Sequence, residues 1–195
     1  MMKNIKALGE YNLQDIYIVL DRHFFHAYNT SVDVKLPSLA LQAILECFVS
    51  EISRYENSKI QPLESVISSK GLENNFKIKK GSQVIEYYEI RLNSSVGLED
   101  VEAISKIIGK RKIDRFYLLS HDVQEMNKIE QLCTEIKVKK DCEVIVDRIL
   151  PTIKYYLRLV NSLSDFIEKY SVLVQNDTEL KKIHKEKWNE LLKSL

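Results

Sequence analysis

The segment from Ser68 to Leu92 most limits what this chain can fold into, because its apolar residues change from helical to alternating spacing. Phe76 and Ile78 alternate with charged residues, Lys80-Gly81-Ser82 is typical of a turn, and Val84–Leu92 is rich in valine, isoleucine and tyrosine. Such residues at period two favour strands joined by a tight turn. The sequence therefore predicts a β-hairpin in the middle of the chain.

Helical spacing dominates on both sides of the hairpin. Upstream, we predict a helix over Leu13–Tyr28, a second from Pro37 to near Tyr55, and a loop through Asn57-Ser58-Lys59. Downstream, predicted helices alternate with short apolar strands: helix Gly97–Ile108, strand Asp114–Ser120, helix Val123–Lys137, strand Cys142–Val146, helix Leu150–Val174 and helix Thr178–Leu195.

This order predicts an α/β fold with a mixed sheet flanked by helices. We expect a single domain over residues 1–195, with an N-terminal helical extension over 1–35 and C-terminal helices over 150–195. A chain of 195 residues is long enough to bury a substantial core.

Composition excludes several classes of protein. Hydrophobic residues make up 45% and charged residues 29%, which is an ordinary globular balance. No apolar run reaches the roughly 18 residues that span a bilayer, and Met1-Met2-Lys3-Asn4-Ile5-Lys6 lacks the apolar stretch of a signal peptide, so we expect a cytoplasmic protein.

The net charge of +1 does not by itself favour DNA, although basic residues cluster at 77–80, 110–115 and 137–140.

Polar side chains gather on one predicted face of the hairpin. Residues two apart in a strand share a face, so Glu89 and Arg91 point the same way, as do Asn75, Lys77 and Lys79 on the neighbouring strand. The hairpin can bring these two polar faces together. Glu64 lies upstream, on a segment that can pack over the same end of the hairpin.

Five stretches of the chain resemble a known group of enzymes. In order and with similar spacing, they look like type II restriction endonucleases encoded with cytosine-5 DNA methyltransferases, and the similarity runs from roughly Leu36 to the end. The stretches are Leu36–Glu51, Pro62–Ser65, Arg115–Ser120, Leu150–Leu159 and His184–Leu191.

The resemblance implies a PD-(D/E)XK nuclease fold that hydrolyses DNA phosphodiesters. Its chemistry requires carboxylates that hold Mg²⁺ against the phosphate, and a lysine that orients the attacking water. The implied catalytic positions are Glu64, Asn75 (where the first metal-binding Asp falls) and the Glu-x-Lys pair at Glu89 and Arg91. Of these, Glu64 and Glu89 are the implied metal ligands.

Two of these positions depart from the family pattern. Asn75 is a neutral amide where a carboxylate is expected, and Arg91 replaces the lysine with a group that does not deprotonate in a protein. Lys77 or Lys79 can substitute for the lysine, and Glu73 for the carboxylate if the strand starts early. Both Mg²⁺-dependent cleavage and a non-cutting relative therefore remain open, as does a structural dimerisation protein that uses its last two helices.

The resemblance also indicates partners. Lys79, Lys154, Tyr155 and Arg158 are candidate DNA-binding residues, because basic and aromatic side chains suit phosphate contact and base stacking. We expect double-stranded DNA as the ligand, a homodimer on a palindromic site, and a cytosine-5 methyltransferase as a further partner.

Overall fold

The computed structural model describes residues 11–28, 35–49, 51–62, 66–68, 71–108 and 112–195. The chain divides into two compact units, one of residues 1–48 with 153–195 and one of residues 49–152. We call the first the helical unit and the second the sheet unit. The prediction of a single domain with helical additions at both ends stays a prediction.

The sheet unit contains a six-stranded mixed sheet. Strand β3 pairs antiparallel with β1, β2 and β4, and β4, β5 and β6 run parallel, so that the main order is β1-β3-β4-β5-β6. The strands are β1 (Ser58–Pro62), β2 (Val66–Ser68), β3 (Gly71–Lys80), β4 (Gln83–Val96), β5 (Arg115–Val123) and β6 (Glu143–Arg148). The predicted α/β class, with a mixed sheet flanked by helices, is confirmed.

Helices α3 (Leu98–Ile108) and α4 (Met126–Lys140) make the parallel connections of this sheet. Their apolar residues pack in one hydrophobic cluster with Phe116 and Leu118 of β5 and Val144 of β6. On the opposite face of the sheet the ring of Tyr88 stacks between Phe76 and Tyr117, with centroids 4.5 and 4.3 Å away. This run of apolar residues across β3, β4 and β5 explains why the central strands are buried on both faces.

The helical unit is built from α1 (Leu13–Phe24), α2 (Lys35–Phe48), α6 (Leu163–Asn176) and α7 (Lys182–Leu192), with α5 (Ile149–Leu157) at the boundary. Helix α2 is buried along almost its whole length. His23 of α1 is fully buried beside Tyr170 and Trp188. Its Nε2 donates to the His184 carbonyl at 3.1 Å, and in the neutral ring its Nδ1 accepts from the Tyr170 hydroxyl at 2.9 Å. None of the helices in the described ranges combines the length and apolar character needed to cross a membrane.

Three predicted elements were wrong. The helix predicted from Pro37 to near Tyr55 ends at Phe48, and a separate short 3-10 helix covers Ser53–Tyr55. The single helix over Leu150–Val174 is two helices, because the backbone leaves α5 after Leu157 and Ser162 caps α6 by accepting a hydrogen bond from the Asp165 amide at 3.2 Å. The helical spacing of apolar residues continues across this break, so the sequence pattern did not reveal that the helix ends. The predicted loop through Asn57-Ser58-Lys59 ends at Asn57, which has a positive φ of 61°, and Ser58 already begins strand β1.

Candidate functional site

The register of the central hairpin decides which predicted site residues meet. Asn75 of β3 lies directly opposite Glu89 of β4, and Lys77 lies opposite Tyr87. Directly opposed residues of antiparallel strands have Cβ atoms roughly 5 Å apart on the same face. Asn75 and Glu89 are therefore neighbours, with Arg91 next along β4.

Arg91 does not extend into solvent but bridges two carboxylates. Its Nε donates to Oε1 of Glu89 at 2.6 Å, its Nη2 donates to the same oxygen, and its Nη1 donates to Oδ1 of Asp100 at 2.7 Å. Glu89, Arg91 and Asp100 are only 6%, 9% and 5% exposed. We call this group the Arg91 clamp, because it joins strand β4 to helix α3.

Asp100 belongs to the clamp because of how α3 begins. Its second oxygen, Oδ2, accepts a hydrogen bond from the Gly97 amide at 2.9 Å, which satisfies one of the amides left unpaired at the start of the helix. This position was not among the predicted site residues. The signal that points to it is an acidic residue in the first turn after a glycine, which is also the signature of an ordinary helix cap.

Among the described residues, the clamp consists of two carboxylates and one guanidinium, with a formal net charge of −1. Burial lowers the pKa of Arg91, but the charges and hydrogen bonds of Glu89 and Asp100 outweigh it, and the pKa is raised above its ordinary value. Arg91 is therefore a permanent cation beside Glu89. The negative charge that Glu89 would offer to a metal ion is already balanced by this guanidinium.

Asn75 contributes a polar atom that is not satisfied. It is 8% exposed, and its Oδ1 is buried without a hydrogen-bond partner in the described part of the chain. An unmade hydrogen bond of this kind costs about 1–3 kcal/mol, so such atoms commonly accept from a bound ligand or water. The side-chain oxygen of Asn75 can therefore accept a hydrogen bond from a ligand or water next to Glu89.

The described side chains at the hairpin form a poor binding site for Mg²⁺. The donors at the hairpin are one carboxylate already engaged by Arg91 and one neutral amide oxygen, whereas Mg²⁺ favours carboxylates in octahedral geometry. Within the described ranges no group of three or more His, Cys, Asp or Glu residues is arranged to hold a metal ion. Glu64, the other predicted metal ligand, and the side chain of Glu73 lie outside the described residues.

Another buried carboxylate, Glu86, lies on the opposite face of β4 and serves the fold. It is fully buried and accepts hydrogen bonds from Tyr55 at 3.0 Å, from Tyr88 at 2.6 Å and from Nε of Arg54 at 3.1 Å. Burial, and then the charge of Glu86, raise the pKa of Tyr88 well above its ordinary value. With its oxygens satisfied in this way, Glu86 fixes the stacked rings of this face.

The predicted DNA-binding residues are divided between the two units. Lys79 lies on β3, in the sheet unit, on the same face as Asn75 and Lys77. Lys154, Tyr155 and Arg158 belong to the helical unit. Tyr155 is exposed, Arg158 follows the last residue of α5, and the Lys154 ammonium lies 4.5 Å from the centre of the Tyr17 ring.

Comparisons with known proteins add no relative to these observations. The sequence matches no model of a protein family, and its comparison with curated proteins gave no match either.

Proposed function

We propose that this chain is the DNA-binding component of a type II restriction–modification system, with a restriction endonuclease-like architecture and double-stranded DNA as its ligand. The register that sets Asn75 opposite Glu89 carries this proposal. The resemblance implies that positions 75 and 89 serve one site, which requires them to lie side by side. The mixed sheet flanked by helices agrees with the fold that the resemblance implies.

The Arg91 clamp favours a non-cutting form of this function. Hydrolysis of DNA with Mg²⁺ requires free carboxylates at the hairpin, and there Glu89 is held by a guanidinium and position 75 is an amide. We therefore propose a DNA-binding subunit, or a partner subunit of a nuclease or methyltransferase, that does not cleave DNA by itself. No catalytic step through Mg²⁺ follows from the donors described.

A binding assay and a cleavage assay on the same preparation test the two parts of this proposal. We expect the purified chain to bind a labelled duplex, and to leave supercoiled plasmid intact with Mg²⁺ or Mn²⁺. Cleavage by the unmodified chain that disappears in Glu89→Ala would overturn the non-cutting form and support an active endonuclease. Failure to bind any duplex at low salt would overturn DNA binding itself and favour a structural dimerisation protein.

A restored site gives a sharper test of why cleavage is absent. The double substitution Asn75→Asp with Arg91→Lys returns a carboxylate and a lysine to the positions that the family pattern requires. We expect calorimetry to detect Mg²⁺ binding to this variant, and none when Glu89→Ala is added as the matched control. Equal Mg²⁺ binding by the unmodified chain would show that Arg91 does not block the site.

The proposed homodimer and the proposed cytosine-5 methyltransferase partner have separate tests. A palindromic target is matched by a two-fold symmetric dimer, so sedimentation with a palindromic duplex should show two chains per duplex. Co-purification with a methyltransferase encoded beside this chain tests the second partner.

A further inference from the structure

Three lysines of β1 and β3 lie on the sheet face that carries Asn75 and Glu89, and a fourth lines a depression beside them. Lys59 of β1 lies opposite Lys79 of β3, and Gln61 lies opposite Lys77, so these side chains share one face. Lys112, just before β5, lines the same depression as Lys77. We call Lys59, Lys77, Lys79 and Lys112 the lysine face.

In the described part of the chain, the apolar residues of α3 and α4 pack against β4, β5 and β6. Their hydrophobic cluster includes residues of β4, β5 and β6, and none of the described side chains of β1 or β3. Lys59 and Lys112 are exposed, and Lys77 and Lys79 are half-buried. Together with Gln61, these lysines therefore form a basic surface that is partly open to solvent.

The arrangement of these charges is unfavourable for the isolated chain. Like charges directly opposite one another on antiparallel strands destabilise the pair, and Lys59 opposes Lys79 in this way. Lys77 is two residues along the same strand, about 7 Å away. Within the described ranges no carboxylate is within ion-pair distance of any of the four lysines. By contrast, Lys128, Lys137 and Lys139 of α4 all have acidic partners.

Two depressions, one on either side of β3, are each lined by two of these lysines. One, of about 380 Å³, is lined by residues that include Lys77, Lys112 and Gln83. The other, of about 410 Å³, is lined by residues that include Lys59, Lys79 and Gln61. Lysine ammonium groups and glutamine side-chain amides are among the donors that contact the phosphate oxygens of DNA.

We propose that the lysine face binds the phosphate backbone of duplex DNA, with one strand of phosphates received by the pairs Lys59–Lys79 and Lys77–Lys112. This inference rests on the proposed DNA-binding function and assigns the backbone contact to the sheet unit. A row of phosphates supplies the negative charge that these lysines do not receive from the described residues. Lys154 and Arg158, the other basic candidates, are then not part of this contact.

The salt dependence of DNA binding tests the assignment. Each phosphate neutralised contributes about −0.9 to the slope of log K against log salt concentration. We expect Lys59→Gln with Lys79→Gln to make the slope of duplex binding shallower by about 1.8, and Lys77→Gln with Lys112→Gln to do the same. Fluorescence anisotropy of a labelled mixed-sequence duplex, titrated at several salt concentrations, measures this slope. Lys137→Gln with Lys139→Gln on α4 is the matched control, and should leave the slope unchanged.

The outcomes separate this inference from the proposed function. An unchanged slope in both lysine-face variants, with a shallower slope in Lys154→Gln with Arg158→Gln, would overturn the lysine face and leave DNA binding standing. Absence of duplex binding by the unmodified chain would overturn both. Removing opposed like charges should leave the urea midpoint unchanged or raise it. A lower midpoint in the Lys59 and Lys79 variant would show that these lysines stabilise the fold, against the inference.

Discussion

Replacing Arg91 by alanine is the most direct perturbation of the Arg91 clamp. The substitution leaves Glu89 and Asp100 as two neighbouring carboxylates that are 6% and 5% exposed. Breaking a buried ion pair by removing one partner costs about 3–5 kcal/mol, because the remaining charge is neither paired nor solvated. We expect a loss towards the upper end of this range, since two carboxylates remain and repel each other.

Urea unfolding followed by far-ultraviolet circular dichroism measures this loss. With a slope of about 2 kcal/mol per molar urea, the midpoint should fall by about 1.5–2.5 M near neutral pH. At about pH 5 the deficit should shrink, because burial favours the protonated, uncharged form of the two carboxyl groups once Arg91 is gone. Arg91→Lys should lose less than Arg91→Ala, because it keeps the charge but not the guanidinium fork that reaches both partners.

Two further variants control this experiment. Arg148→Ala removes an exposed arginine at the end of β6 and should leave the midpoint unchanged. Adding Glu89→Gln and Asp100→Asn to Arg91→Ala removes the two carboxylate charges that Arg91 balanced, and should recover most of the lost stability. A loss below about 1 kcal/mol for Arg91→Ala, or a loss that is the same at both pH values, would refute the description of the clamp as a buried charge network.

Two predictions concern the helical unit. Burial, partly offset by a hydrogen bond to the His184 carbonyl, lowers the pKa of His23 from 6.5 to about 4. Between pH 6.5 and pH 4 the unfolded chain therefore binds a proton at His23 that the folded chain does not bind. The unfolding free energy should fall by about 3 kcal/mol as the pH drops from 7 to 4. In urea titrations, His23→Asn should make the unfolding free energy less dependent on pH. Ser162→Ala should lower the unfolding free energy by about 1 kcal/mol, because it removes the side-chain oxygen that accepts from the Asp165 amide in the first turn of α6. Ser162→Asp keeps such an oxygen and should not lower it.

The sequence predicted the central part of the fold because its signals there are local. Alternating apolar residues and the Lys80-Gly81-Ser82 turn indicated the β3–β4 hairpin, and Gly81 indeed has a positive φ of 59°. Strands β5 and β6 were visible as short apolar runs between helical patterns. Strand β1 was missed, because an edge strand with one inward apolar residue, Ile60, has no pattern that distinguishes it from a loop.

For the candidate site, alternation along each strand sufficed to place Asn75 with Lys77 and Glu89 with Arg91, since side chains two apart in a strand share a face. The resemblance then supplied the interpretation of these positions as a nuclease site. Neither inference depends on how the strands pair, because each uses only the order of residues along the chain.

Tertiary structure decided what these side chains do. The register between β3 and β4 makes Asn75 a direct neighbour of Glu89, and a shift by one residue would place them on opposite faces. Packing of α3 brings Asp100 to Arg91 from nine positions along the chain, which turns a predicted catalytic residue into an internal cation. Pairing of β1 with β3 likewise opposes Lys59 and Lys79. Local sequence determines the direction of a side chain, but its charge is balanced by residues that only the folded chain brings near.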